Sequence, residues 1–258
     1  EVIGNLLILN NPRVRLSLTE TRGKAFSALG ELIWYLSKKR DLDYIQYYIP
    51  GYEKNKEMDA KGNEIIYGGY GPRFFNMRGQ DQIQNVISLL RERKYSRRAV
   101  IQLFDAEDIS KKHEDIPCTC FLQFIIRDKK LHLYASMRSN DAYIGLPHDI
   151  FAFTMLQEII ARSLAIEPGK YYHAVSSLHL YKSNLQKVKN YLNEGWQSTK
   201  HEMPEMPAGD PWESITQILA LEKKIRDNPL INVNDFILDD YWKDIVRLII
   251  IHALLKKN

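Results

Sequence analysis

The sequence predicts an α+β fold in which a mixed sheet is covered by helices and followed by a helical tail. Three observations predict it: strand-like apolar segments gathered in the middle of the chain, amphipathic helical periods around them, and two more helical stretches beyond a Pro- and Met-rich boundary. The 258 residues, 45% hydrophobic and 26% charged, suffice for a substantial core without a metal or disulfide to staple it.

Residues 6–18 alternate on either side of Pro12, which predicts a hairpin broken at Asn10, Asn11 and Pro12. From Ala25 to Leu36 the residues Ala28, Leu29, Leu32, Ile33 and Leu36 share one side of a helix. The polar, Gly- and Lys-rich passage from Gly51 to Gly71 reads as a long loop, and loops of that length in compact domains are often functional. Asp81 to Arg93 is helical and ends in a basic turn. Strands are expected at Ala99–Phe104, Cys120–Ile126 and Leu131–Ser136, the last two joined by a turn at 127–130. After the irregular stretch Asn140–Pro147, an apolar helix runs over roughly Ile150–Leu164, with Asp149 placed to cap it. A strand at His173–Tyr181 and a helix around Asn184–Leu192 follow. Met203–Pro211 marks a boundary, beyond which helices are expected over about Glu213–Arg226 and Tyr241–Lys256. The expected organisation is one domain over 1–258, with a core at 1–205 and a helical extension at 206–258.

The formal net charge of +4 is mild, and suits a small phosphate-bearing anion better than a long nucleic acid. Only two cysteines occur, Cys118 and Cys120, with one residue between them. That spacing is too tight for a comfortable disulfide and lacks a second pair for zinc, so no metal and a reducing compartment are expected. The first residues carry no basic, apolar leader, and the longest apolar runs, such as 248–251, fall far short of a membrane span. The expectation is a soluble, cytoplasmic protein with no membrane partner.

Several residues have the chemistry of a site. Cys118 follows Pro117 at the start of a strand, where a thiolate nucleophile suited to addition at an electron-poor carbon can be presented. By itself the pair favours a plainer reading, a buried thiol acting as a small apolar group. Arg97 and Arg98 close a basic cluster and, in an extended segment, diverge so that both can approach one phosphate; taken alone, a solvated helix terminus explains them better. Arg138 and Ser139 form another phosphate candidate after an apolar strand. Glu31 sits among apolar neighbours, where its pKa should rise toward the range useful for proton transfer, or it lies on an exposed helix edge. His179 and Tyr181 alternate on one face of a strand, and either share a pocket or form one side of an ordinary sheet.

Taken in order, these pieces resemble the thymidylate synthase superfamily. The resemblance runs through Gly30-Glu31 and Trp34-Tyr35-Leu36, then Tyr70-Gly71, Ser96-Arg97-Arg98, Pro117-Cys118 and Phe121 to Phe124. It continues through Arg138-Ser139-Asn140-Asp141, Gly145-Leu146-Pro147 and His179-Leu180-Tyr181, and spans roughly residues 6–190. It implies that Cys118 adds to carbon 6 of a pyrimidine nucleoside monophosphate and makes carbon 5 nucleophilic toward the one-carbon unit of 5,10-methylenetetrahydrofolate. Arg138 and Ser139 would hold the 5′-phosphate, joined by Arg97 and Arg98 of the second subunit of a homodimer. His179 and Tyr181 would contact the sugar 3′-hydroxyl. Glu31 would organise proton transfer, Tyr70 would help remove the carbon 5 proton, Gly145 would pack against the ring, and Asp141 matches the pterin-binding position.

The chain departs from that pattern where the base is read. Synthases acting on uracil nucleotides carry asparagine there, whereas this chain has Asp149. A carboxyl can accept from the cytosine amino group and, when protonated, also donate to N3, which resembles the cytidylate hydroxymethylases of the superfamily. The phenylalanine usual before that position is His148, the loop near Tyr52 to Ile66 holds no tryptophan, and the short apolar tail of the synthases is not seen at 254–258. A less shielded intermediate would be captured by water, so the expected reaction is 5-hydroxymethylation of a cytidine monophosphate, dCMP preferred over CMP. The rivals are methylation of dUMP and a catalytically silent nucleotide-binding regulator. The family's N-terminal phosphate-binding arginine, which lies ahead of the first hairpin, would precede residue 1, and Arg22 matches a different family arginine.

Overall fold

A computed structural model describes residues 1–21 and 25–257, and the expectation for Arg22 lies outside the described residues. Its centre is a five-stranded sheet in the order β1 (Val2–Leu9), β7 (Glu167–His179), β6 (Lys130–Asp141), β5 (Thr119–Arg127) and β4 (Val100–Gln102). All neighbours are antiparallel except β6 and β7, so the sheet is mixed, as its sequence predicts. A parallel pair cannot be closed by a hairpin, and α5 (Gly145–Ser163) supplies the crossover. Leu122, Phe124, Leu131, Leu133, Ala135, Met137 and Val175 point to one buried face.

The helices that cover this face are apolar nearly all round, the mark of elements enclosed by protein. Residues 151–163 of α5 are all buried, as are residues 28–36 of α1 (Ala25–Leu36). Helix α1 packs against α5 and is covered in turn by α7 (Trp212–Asp227) and α8 (Asp240–Lys257). Ile215, Ile218, Trp242 and Ile245 thereby join one continuous core with the sheet. Glu31, in the middle of α1, is only 6% exposed for this reason.

Between α1 and β4 lie α2 (Leu42–Tyr48), a short hairpin of β2 (Glu57–Met58) and β3 (Glu64–Ile65), α3 (Tyr70–Asn76) and α4 (Gln82–Glu92). The passage read as one long loop therefore contains a helical turn at Pro50–Asn55 and that hairpin, and Tyr70 begins a helix. After β7 comes α6 (Leu185–Asn193).

Two expectations are corrected. Residues 6–18 do not form a hairpin: β1 pairs with β7, and the second arm leaves the sheet. Arg13 accepts a hydrogen bond from the Met203 backbone (3.0 Å) and faces Glu202 and Glu205, while Arg15 turns inward to a fully buried ion pair with Glu158. The second correction concerns α5, which starts at Gly145 rather than Ile150, so Asp149 is not an N-cap. Pro147 falls in the first turn, where its missing N–H costs nothing.

The Arg15–Glu158 pair joins the N-terminal arm to α5, and Glu158 also accepts from the Met206 backbone (3.1 Å). Glu158→Ala leaves a buried guanidinium without its partner and is expected to cost about 3–5 kcal/mol, read from urea denaturation midpoints. A loss below about 1 kcal/mol would mean that Arg15 reaches water instead.

Candidate active site

Cys118 lies one residue before β5, beside an irregularity in the β5–β6 pairing between Thr119 and Phe121. Arg138 fixes it. The Arg138 backbone N–H donates to the Cys118 carbonyl (2.9 Å), Nε donates to the Pro117 carbonyl (2.9 Å), and Nη2 reaches the Ile116 carbonyl (3.1 Å) and Cys118 Sγ (3.8 Å). A rigid planar fork thus holds three consecutive residues around the thiol. Burial pushes the Cys118 thiol up to about 11, Arg138 pulls it back, and Asp149 and Asp115 add to the rise. Both cysteines are free thiols.

Two carboxyl groups face the same cleft and are driven apart. Glu31 accepts from the Tyr52 hydroxyl (2.5 Å) and from His148 Nδ1 (3.2 Å), whose Nε2 meets Ser27 Oγ (3.0 Å). Burial works to raise the Glu31 pKa, but hydrogen bonds from His148, Tyr52 and Tyr35, with the charge of His148, outweigh it and lower the pKa. This corrects the expectation of a raised Glu31: the sequence reading counted the apolar neighbours and not the donors. Asp149 is the opposite case. Its Oδ2 accepts from Asn140 Nδ2 (2.7 Å), while burial first, then the Glu31 charge, hold its pKa well above the carboxylate range. Donors and burial thus move the two pKa values in opposite directions, Glu31 down and Asp149 up.

Tyr70 closes the cleft beneath them. Its hydroxyl donates to Thr119 Oγ1 (2.9 Å) and accepts from the Thr119 backbone (3.1 Å), and burial foremost pushes its pKa well above the ordinary phenol range. Cys118, Arg138, Glu31, Tyr70 and Asp149 therefore sense one another across one site. Gly145 stands next to it: a Cβ there would lie 2.9 Å from Asn140 Nδ2 and 3.5 Å from Asp149 Oδ2.

A second group adjoins it where β6 ends. Asp141 pairs with His179 across the parallel ladder, and its Oδ1 accepts from the Tyr143 (2.8 Å) and Ile144 (2.5 Å) backbones. The His179 and Tyr181 rings meet edge to face at 5.0 Å. Ser139 pairs with Ser177 in the same ladder. Arg97 and Arg98 stay exposed before β4, and among the described residues neither has an ion-pair partner or a hydrogen bond to another candidate.

Sequence reasoning missed Tyr52, Asn140, Tyr171, His173 and Asp115. Asn140 lay within the matched run at 138–141, and Tyr171 and His173 alternate on an otherwise apolar strand face; that polar pair was the available signal. Asp115, held up to about 6 chiefly by burial against the pull of Arg138 and Arg73, carried none.

The family profile described as Thymidylate synthase matches residues 10–245. The chain belongs to the thymidylate synthase family. It is 28% identical over 186 residues to a thymidylate synthase of Listeria monocytogenes serotype 4b (strain F2365), covering 68% of this chain and 58% of that one. A Mycoplasma mobile thymidylate synthase is 28% identical over 193 residues, covering 65% and 67%. The chain thus spans less than two thirds of the Listeria relative's length. The crystal structure of thymidylate synthase from T4 phage superposes with a TM-score of 0.66 at 22% identity, over 85% of this chain and 82% of that one, and shares the fold.

A thiol held near 11 has about one molecule in ten thousand ionised at pH 7. Alkylation of Cys118 by iodoacetamide, followed by peptide mapping, should climb about tenfold per pH unit to beyond pH 10. A plateau below about pH 9, where ordinary thiols level off, would show that burial does not govern this sulfur.

Proposed function

We propose that this protein transfers a one-carbon unit to carbon 5 of a pyrimidine nucleoside monophosphate, and that it hydroxymethylates a cytidine monophosphate, with dCMP as the preferred substrate. The observation that carries the base assignment is the carboxyl of Asp149, its pKa held well above the carboxylate range by burial and then by the Glu31 charge, with Oδ2 accepting from Asn140. A carboxyl in either state accepts from the cytosine amino group, and a protonated one also donates to N3. With that hydrogen toward N3 it would meet the N3–H of uracil and leave O4 without a donor, and a buried polar group without its partner costs about 1–3 kcal/mol.

In this reading Cys118 Sγ bonds to carbon 6, the ring double bond opens, and negative charge moves toward carbon 5 and N3. The hydrogen bond from Asp149 to N3 strengthens at that moment, which favours the transition state over the bound substrate. Arg138 directs its remaining donors at the 5′-phosphate beside Ser139. Tyr70, with its hydroxyl anchored on Thr119, lines the path of the carbon 5 proton, and Glu31 supplies the anion that orders it. Gly145 leaves room for the ring, and His179 and Tyr181 together serve the sugar hydroxyl. Methylenetetrahydrofolate, when bound, supplies the one-carbon unit. Asp141 and the exposed apolar Ile144 beside it offer a flat heterocycle a polar edge and a ledge, so the residues present fit it. With tetrahydrofolate released as the leaving group and the carbon 5 proton lost, water would add to the carbon 5 methylene and Cys118 would leave, for a net gain of one formaldehyde unit.

Two further assignments belong to this proposal. Ile125, Tyr134 and Tyr172 are half-exposed on the sheet face opposite the helices, which supports a two-fold homodimer over that face. Arg97 and Arg98, exposed and without ion-pair partners among the described residues, are then free to reach the neighbouring subunit's phosphate.

A second reading has its own support: the curated relatives are named thymidylate synthase, which favours methylation of dUMP. A neutral Asp149 serves uracil if its proton lies on the oxygen facing O4. The two readings separate by incubation of each monophosphate with methylenetetrahydrofolate and measurement of product mass. A formaldehyde unit gained on cytosine supports the proposal, and a methylated uracil product overturns it. Asp149→Asn is expected to move preference from cytosine to uracil by at least about tenfold. Cys118→Ser should abolish tritium release from carbon 5 while nucleotide binding persists; retained exchange would remove the nucleophile assignment.

A further inference from the structure

A buried chain of polar groups behind Asp149 has no part in the chemistry above. The Tyr171 hydroxyl and His173 Nδ1 are 2.6 Å apart, His173 Nε2 and Asn140 Oδ1 are 3.0 Å apart, and Asn140 Nδ2 donates to Asp149 Oδ2 at 2.7 Å. Tyr171 and His173 are each 1% exposed and Asn140 4%. Two arrangements of hydrogens fit those distances. In one, Tyr171 donates to Nδ1, Nε2–H donates to Asn140 Oδ1, and the Asn140 amide donates to Asp149. The other reverses every bond, turns the amide over, and takes the proton of Asp149 on the oxygen facing Asn140.

The Tyr171 hydroxyl decides between them. Among the described residues His173 is its one hydrogen-bond partner, so a reversed chain would leave its hydrogen buried and unpaired. Tyr171 therefore donates, Nδ1 is bare, Nε2 carries the ring proton, and Asn140 must turn its amide nitrogen toward Asp149. Burial keeps His173 neutral, with its pKa lowered to about 4, so the ring holds one tautomer across the working pH range. Gly145 permits the arrangement, because a side chain there would collide with Asn140 Nδ2.

We propose that Tyr171, His173 and Asn140 are positioning residues that hold Oδ2 of Asp149 as an acceptor and so confine its proton to Oδ1. The consequence is specificity. A neutral carboxyl is a donor on one oxygen and an acceptor on the other, and it matches cytosine or uracil according to which oxygen holds the hydrogen. A carboxyl free to exchange its proton between the two would read both bases. The relay leaves one pattern, and with it one base. This inference rests on the proposal that Asp149 reads the pyrimidine edge, but not on which base it prefers.

The test has two arms. Nitrogen-15 NMR of His173 in the intact protein should show Nε2 protonated and Nδ1 bare from pH 5 to 8; the opposite tautomer, or a charged ring, overturns the relay whatever the substrate is. The second arm is the ratio of kcat/KM for cytidine and uridine monophosphates. Asn140→Asp replaces the donor by an acceptor and draws the proton to Oδ2, so the wild-type preference should shift by at least about tenfold toward the other base. His173→Leu frees the amide to turn and should erode the preference, whereas His173→Gln, which keeps a donor near the Nε2 position, should restore it. Tyr171→Phe removes one oxygen, preserves packing, and should loosen the preference in the same direction. An unchanged ratio in all of these folded variants, or equal losses on both nucleotides, overturns the proposal. A wild-type preference for uracil would instead sink the hydroxymethylase reading and leave the relay to stand or fall on the ratios.

Discussion

Glu31 is buried and Asp149 part-buried in one site, and burial first, then the charge of Glu31, disfavours a second anion at Asp149. The rest of the site follows from how the fold resolves that constraint. Helix α1 brings Glu31 and helix α5 brings Asp149, and each helix is buried on nearly every side because α7 and α8 cover α1 and the sheet backs α5. Without those covers water would reach both groups and screen one charge from the other. The C-terminal helices, though remote in sequence, therefore act on the chemistry through solvent exclusion.

The placement of Cys118 depends on a different device. Cys118 gains no activation from its own surroundings, since burial raises its pKa and Arg138 repays only part. What Arg138 contributes is place: three backbone carbonyls and the sulfur are gathered around one guanidinium. The thiol is thus held in its neutral form, which on the proposed reading suits a nucleophile needed only when an electron-poor ring lies over it. A thiolate at rest would invite oxidation.

Much of this was legible in the sequence, and the parts that were not have a common cause. The periods of α1, α4, α7 and α8 and the alternation of β5 and β6 follow from local patterning, so their existence and type could be read directly. Cys118, Arg138, Tyr70 and Asp149 were legible through the order of short motifs. The N-terminal arm was misread because Arg15 looks like the polar member of an alternating strand, while its partner Glu158 lies 143 residues away. Glu31 was misjudged for the same reason: its apolar neighbours are local and visible, but the donors Tyr52 and His148 reach it from the helical turn at Pro50–Asn55 and from α5. Burial can be inferred from a sequence window, whereas the partners that offset it come from elsewhere in the chain. The relay of Tyr171, His173 and Asn140 was hidden by the parallel pairing of β6 and β7, which no local pattern encodes.

His148 and Asp149 gain their meaning together. Each was a separate departure from the family pattern, a histidine in place of the usual phenylalanine and a carboxyl in place of an amide. A carboxyl at 149 alone would set two acids competing for one proton, with the outcome governed by small differences in burial. The imidazole at 148 breaks the tie, since its Nδ1 donates to Glu31 and holds that carboxyl as the anion. Burial first, and the Glu31 charge after it, then hold the Asp149 pKa well above the carboxylate range. Asn140, on the far side, holds one oxygen of the neutral acid as an acceptor. On the proposed reading, the groups that set the charge come from α1 and the donor that fixes one carboxyl oxygen comes from β6, so a carboxyl at the base-reading position would depend on His148 and Asn140 as well as on Asp149.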